Sequence, residues 1–177
     1  LIKQHHVDKK PLVELKTLEE RPVVSIRRSS PFNFISVTLR TIELFNLFHV
    51  SKLQMIDPYM IIFHDNYKNF NVFHTDFEIC VGIDLNLKST QNVLNDDKVE
   101  FTNFRTLEAG EYATSIHKGS YEDSIIAYNN LMEWINDNDY EVNGPLFKVY
   151  ITDYALTKSV KNLVYELQIP VKKKNIG

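Results

Sequence analysis

A chain of 177 residues, 44% of them hydrophobic, can bury one substantial core and is too short for two independent ones. Its net charge of −3 and pI near 6.1 argue against a nucleic-acid surface within these residues. The single cysteine, Cys80, excludes an internal disulfide framework; with no secretory signal and no apolar run of the ~18 residues a membrane span needs, a cytoplasmic location without membrane contact is expected.

Residues 1–11 (LIKQHHVDKKP) read as a polar lead-in. His5 and His6 are adjacent and without further ligands nearby, which favours a solvated pair over a metal site. Leu12–Lys16 and Val23–Arg27 have strand character, with a turn at Arg21-Pro22. Ser30 and Pro31 suit the cap and first turn of a helix over Phe34–Leu53. In it Ile35, Leu39, Ile42, Phe45 and Phe48 form one apolar stripe, expected to be buried. Asp57-Pro58 ends the helix, and Tyr59–His64 is a short apolar strand. After a polar turn, Phe77, Ile79, Val81 and Ile83 alternate with Glu78, Cys80, Gly82 and Asp84, as in a half-buried strand.

A polar stretch, 86–98, leads to a second run of the same order. Val99–Leu107 and Tyr112–His117 are strands, and Gly119-Ser120 breaks the chain before a helix. Ser120 and Asp123 have the spacing of a capping box. Ile125, Tyr128, Met132 and Ile135 mark the expected inner face of that helix. Asn136–Gly144 ends it, Leu146–Thr152 and Leu163–Val171 are the last strands, and 173–177 is a basic tail expected to fray.

The two runs keep a near-constant offset. Thr17 and Thr106 lie 89 residues apart, Ser25 and Ser115 lie 90 apart, and Asp65 to Asp153 and Glu78 to Glu166 each span 88. Two copies of one unit, 12–86 and 99–172, therefore make a single domain. The expected fold is α+β: duplicated β-α-β-β units in one antiparallel sheet, with two helices on one face and a ligand groove on the other. With Phe77, Ile79, Val81 and Ile83 facing the helices, Glu78 points into the groove, and the offset sends Glu166 and Gln168 there too. In the preceding strands Lys148 and Tyr150 belong to the more polar set, with Ile61 and Phe63 as their counterparts, so these four are also expected in the groove. Aromatic walls with a few polar anchors are the composition of a small-molecule pocket. Trp134 sits off the apolar stripe of its helix, as a packing residue or as a pocket lip.

The order TLEAGEYATSIHKGSY, AYNNLMEWI, GPLFKVYITD and ELQIPV resembles the gyrase-inhibitor-like, effector-binding domain of bacterial transcription activators. The resemblance covers residues 12–172 and is strongest after Glu100. That domain occurs fused to MerR-type or AraC-type DNA-binding domains and also alone. It implies capture of amphipathic, often aromatic or cationic molecules between the repeats, as in multidrug sensing. Two departures stand out. The family often places a glutamate two residues before the tyrosine corresponding to Tyr150, where this chain has Lys148; Lys148 and Glu166 are then expected to pair across a hairpin. In the first copy, Phe63 replaces the tyrosine, and Arg27-Arg28-Ser29-Ser30 lacks the glycine.

The expected function is thus that of a small-molecule-binding regulatory domain, with Glu166, Tyr150, Lys148, Phe63, Glu78, Ile61, Gln168 and Trp134 as its candidate ligand contacts. No cofactor or metal is called for. DNA would be reached only through a DNA-binding domain outside this chain, and a homodimer is compatible with the sequence. The alternative is a standalone protein that acts on a protein partner or hydrolyses a small molecule, with Glu166 and Tyr150 as acid-base and orienting groups.

Overall fold

A computed structural model describes residues 11–51, 53–56, 59–69, 71–85, 103–119, 121–152 and 159–175. The His5-His6 pair, the 86–98 stretch, Asp57-Pro58, Ser120 and Asp153 lie outside them. Among the described residues nine strands and two long helices follow in the order β1 (Glu14–Leu18), β2 (Arg21–Ser30), α1 (Phe34–Ser51), β3 (Met60–Phe63), β4 (Thr75–Gly82), β5 (Asn103–Leu107), β6 (Gly110–Lys118), α2 (Tyr121–Asp137), β7 (Tyr140–Val142), β8 (Leu146–Tyr150) and β9 (Val164–Lys173). All strand pairs are antiparallel, in one sheet of order β1-β6-β9-β8-β3-β4-β2-β5, with β7 added beside β9.

That order is a palindrome of the two copies. The third strands, β3 and β8, meet at the centre, and Ile61 pairs with Lys148. Because these two residues are also counterparts in the duplication, the approximate twofold axis passes between them. The first strand of each copy crosses over: β1 pairs with β6 of the second copy, and β5 with β2 of the first. Lys16 opposes Tyr112 and Arg105 opposes Val23, a match at an offset of 89 on both sides. The Ser25/Ser115 landmark is one residue out of step. Ser25 pairs with Cys80 on the face of Glu78, whereas Ser115 pairs with Leu167 on the helix face, so the true counterpart of Ser25 is Thr114.

The sheet curls, and both of its faces carry buried apolar groups. Under the helices lie Val24, Ile26, Ile61, Phe63, Phe77, Ile79, Val81, Tyr165, Leu167 and Ile169, joined by Leu44 of α1 and Leu131 of α2. The inner face of the curl has a smaller cluster of Val23, Met60, Ile62, Cys80, Leu107, Tyr112, Phe147 and Val149. A two-stranded ribbon could not shield such a cluster; the curvature of a twisted, eight-strand path brings its sides together.

Both helices sit rotated from the expected stripes. In α1 the residues turned to the sheet are Val37, Arg40, Leu44 and Phe48, while Ile35, Leu39 and Ile42 are 67%, 62% and 50% exposed. Arg40 explains the rotation. Its guanidinium donates to the carbonyls of Phe77 (2.7 Å) and Arg28 (3.2 Å) and to Ser30 Oγ (2.8 Å), and it lies 3.8 Å from the Phe77 ring centroid. Burial draws its pKa down to about 10, so it remains charged at neutral pH. In α2 the sheet-facing set is Ser124, Ala127, Leu131 and Ile135, with Tyr128 and Met132 beside it and Ile125 37% exposed. β7, which sequence patterning had merged into the helix end, is entered through Asp139 at φ 60°. It ties down the start of the basic tail: Lys173 pairs with Tyr140, and Lys174 N–H donates to the Asp139 carbonyl at 2.8 Å.

Candidate functional site

Register decides which side chains share a face, since directly opposed residues in an antiparallel pair project to the same side. Phe147 opposes Gln168 and Val149 opposes Glu166, whereas Lys148 opposes Leu167 and Tyr150 opposes Tyr165. On β3, Ile62 opposes Glu78, while Ile61 opposes Ile79 and Phe63 opposes Phe77. The eight expected contacts therefore do not form one site. Glu78, Glu166 and Gln168 line the inner face of the curl, as expected. Ile61, Phe63, Lys148 and Tyr150 lie under the helices, opposite to expectation. Polarity misled because β8 is buried on both sides, so its more polar set need not face solvent. Trp134 stacks on Tyr140 (5.8 Å between centroids, 19° between planes) and packs on the core, the structural one of its two readings.

On the inner face each glutamate is paired with a base from the other copy's first strand. Glu78 accepts from Arg105 Nε (3.1 Å) and Nη2 (2.6 Å) and is 2.8 Å from His64 Nε2. Burial raises the Glu78 pKa, but the hydrogen bonds from His64, Arg105 and Ser25, with the Arg105 charge, outweigh it and hold the group at about 2. Glu166 accepts from Lys16 Nζ at 3.1 Å to both oxygens and from Gln168 Nε2 at 3.2 Å. The expected Lys148–Glu166 pair does not form, because the sheet stands between the two side chains. Arg105 and Lys16 follow the repeat, and sequence reasoning passed over both because they sit on short edge strands. A cavity of about 310 Å³ opens at one end of this face, lined by His64, Arg105, Leu107, Tyr112, Phe147 and Pro170 among others.

The helix side carries the larger cavity, about 460 Å³, between α2 and the middle of the sheet. Its floor is Phe63, Leu146 and Ile169, its wall is Tyr67, Tyr128 and Met132, and His64 and Asp65 stand at its polar side. The aromatic rings are locked in contact: Phe63–Tyr67 centroids are 4.9 Å apart, Tyr67–Tyr128 5.1 Å, and the Tyr67 hydroxyl lies 2.7 Å from Ser124 Oγ. Beyond the cavity lining, across the twofold axis, the same side of the sheet continues through Ile61 and Lys148 to Tyr59, Tyr150 and Tyr165. Tyr59 and Tyr150 centroids are 5.3 Å apart, and those of Tyr150 and Tyr165 are 6.0 Å apart. Lys148 Nζ sits 3.9 Å from the Tyr165 centroid and 5.5 Å from that of Tyr150. Its residue is 5% exposed, and burial lowers its pKa from 10.5 to about 8. Among the described residues no His, Cys, Asp or Glu cluster is arranged to hold a metal ion, and no helix is long and apolar enough to cross a membrane.

A duplicated α+β half-barrel with an aromatic cavity beneath one helix defines a class of small-molecule-binding domains. The profile of the GyrI-like small molecule binding domain matches residues 12–172, and the chain belongs to that family. Its fold is also that of the EcmrR C-terminal domain (TM-score 0.76, 23% identity, 92% of this chain and 98% of that one). A DNA complex of EcmrR matches at TM-score 0.72 and 23% identity, covering 93% of this chain; the present chain spans 58% of that longer one. A hydrolase from Listeria innocua has the same fold at TM-score 0.66 and 9% identity, with 94% of each chain covered. No curated protein matches the sequence.

Proposed function

We propose that this domain is the sensor of a bacterial transcription regulator, working in the cytoplasm, and that its effector is an amphipathic aromatic molecule bound on the helix side of the sheet. The observation that carries this reading is the cavity of about 460 Å³ with Phe63, Tyr67, Tyr128 and Met132 around it. It has the size of a small-ligand pocket, and its aromatic and aliphatic walls are joined by the polar groups of His64, Asp65 and Asn66. The family, and the likeness to a domain that in EcmrR belongs to a longer DNA-bound chain, support the regulatory role. DNA is then contacted by a part of the regulator other than the domain described.

The hydrolase alternative loses its pair. Tyr150 and Glu166 project from opposite faces of the sheet, so they cannot act on one substrate atom. Of the expected contacts, Phe63 lines the proposed site; Ile61, Lys148 and Tyr150 lie beside it on the same face of the sheet, and Glu78, Glu166 and Gln168 serve the inner face.

The test is to titrate the protein calorimetrically with a panel of aromatic amphiphiles and repeat it with the double variant Met132→Trp/Leu146→Trp, which narrows the cavity from its wall and its floor. Binding to the wild type that the variant weakens at least tenfold supports the assignment; binding unchanged in the variant refutes it. Transcription from the promoter of the full-length gene product, with and without the best ligand, reads the regulatory half of the proposal.

A further inference from the structure

The amine of Lys148 is buried at the centre of the helix-side floor, on the twofold axis, and none of the described residues offers it a hydrogen bond or a carboxylate. Among the described residues its close partners are the faces of Tyr165 and Tyr150. The two sheet glutamates cannot serve it: Glu78 and Glu166 are on the other face and already hold Arg105, His64 and Lys16. Asp65, the acid beside the cavity, is partly exposed at the polar side and accepts the Asp76 N–H at 2.8 Å. A buried ammonium without an anion is costly, and aromatic faces return only part of what hydration supplied. A bound anion would supply the rest.

The geometry connects this amine to the cavity. Leu146, in the floor, is two residues from Lys148 on the same face of β8, and Phe63, opposite Leu146, is two residues from Ile61. Two residues of strand span about 7 Å, within the swing of a four-carbon lysine stem. Lys148 does not itself line the cavity, its amine being turned to Tyr165 and Tyr150; with the stem swung toward Leu146, it would meet the head group of an aromatic body held between Phe63, Tyr128 and Met132.

We propose that the effector is an aromatic or amphipathic anion, a carboxylate or another oxyanion, whose charged head pairs with Lys148. This rests on the helix-side site proposed above and specifies the sign of its ligand. On the inner face each glutamate is neutralised from the opposite copy; the competing cation there is Arg21, whose guanidinium lies 6.0 Å from the Tyr112 ring centroid and 5.9 Å from that of Phe147, on the far face of the sheet from the helix-side cavity.

One ring system in three charge states tests it: naphthalene-2-carboxylate, naphthalene-2-carboxamide and naphthalene-2-methylammonium, titrated at neutral pH into the wild-type protein, Lys148→Met and Lys148→Arg. The carboxylate is expected to bind at least tenfold tighter than the ammonium. Lys148→Met should abolish that preference while retaining the carboxamide, and Lys148→Arg should keep it. Equal or tighter binding of the ammonium, or a preference that persists in Lys148→Met, overturns the inference and leaves the site standing. Failure of all three to bind the wild type overturns the site and the inference together. Should Lys148→Met fail to fold, the wild-type ranking and Lys148→Arg decide the question.

Discussion

Replacing Lys148 by methionine should make the unliganded protein more stable. Burial takes the amine's pKa from 10.5 to about 8, which corresponds to about 3 kcal/mol against the charged form. The faces of Tyr165 and Tyr150 return about 1–2 kcal/mol of that. Methionine keeps the length of the stem and leaves an apolar thioether among apolar neighbours. The expected net gain at neutral pH is thus about 1–2 kcal/mol, or about 4 °C in Tm for a domain of this size. Its pH dependence is the sharper signature. Below the folded value of about 8 the wild-type amine is charged in both states and bears the full penalty. Between there and 10.5 the unfolded chain holds more protons than the folded one, so wild-type stability rises with pH. The advantage of Lys148→Met should therefore shrink across that interval and vanish above it. Guanidinium unfolding of both proteins from pH 6 to pH 11 measures it, and tyrosine titration largely cancels in the difference. A variant less stable at neutral pH, or a gap that widens as pH rises, would refute the idea of an uncompensated amine.

The inner face should respond in the opposite sense. Glu78, held at about 2, contributes stability that is fully present above the ordinary carboxylate range and is lost as pH falls through that folded value. Glu78→Gln should cost about 2–3 kcal/mol at neutral pH, and its denaturation midpoint should converge on the wild type's in strong acid. Arg105→Ala should cost more than Lys16→Ala, because it strips a carboxylate whose side chain is 2% exposed rather than 12%. After discounting for the partial exposure of both bases, about 1–2 kcal/mol against less than about 1 kcal/mol is expected, by chemical denaturation. An inverted order would count against the crossed pairs as unequal partners.

The duplication was legible because it leaves landmarks at fixed offsets, and those offsets carried further than the elements themselves. Glu78 with Glu166 and Ile61 with Lys148 are true counterparts, as the pairing of β3, β4, β8 and β9 bears out. The face of the central strands was not legible. Period-two patterning reports a face only when one side of a strand is wet, and β3 and β8 are buried throughout. The helix stripes failed for a related reason. An arginine at position 40 reads as a solvated residue, yet three hydrogen bonds and the Phe77 ring let Arg40 occupy the sheet-facing side of α1 and turn Ile35, Leu39 and Ile42 outward. Edge strand β7, three residues long, is below what periodicity can register.

Exchange of the first strands makes each copy depend on the other in charge as well as in hydrogen bonding. Arg105 answers Glu78 and Lys16 answers Glu166, so neither acid is satisfied within its own copy by a strand base. The same twofold rotation that matches those four places one charged residue, Lys148, on its axis opposite an isoleucine. A residue on the axis has no symmetric counter-charge available unless its counterpart supplies one, and Ile61 cannot. The central pair is thus where the two copies have diverged in charge while the surrounding register is kept. An unmatched charge at the midpoint, rather than at either glutamate, is the position from which one ligand could contact both halves of the floor at once.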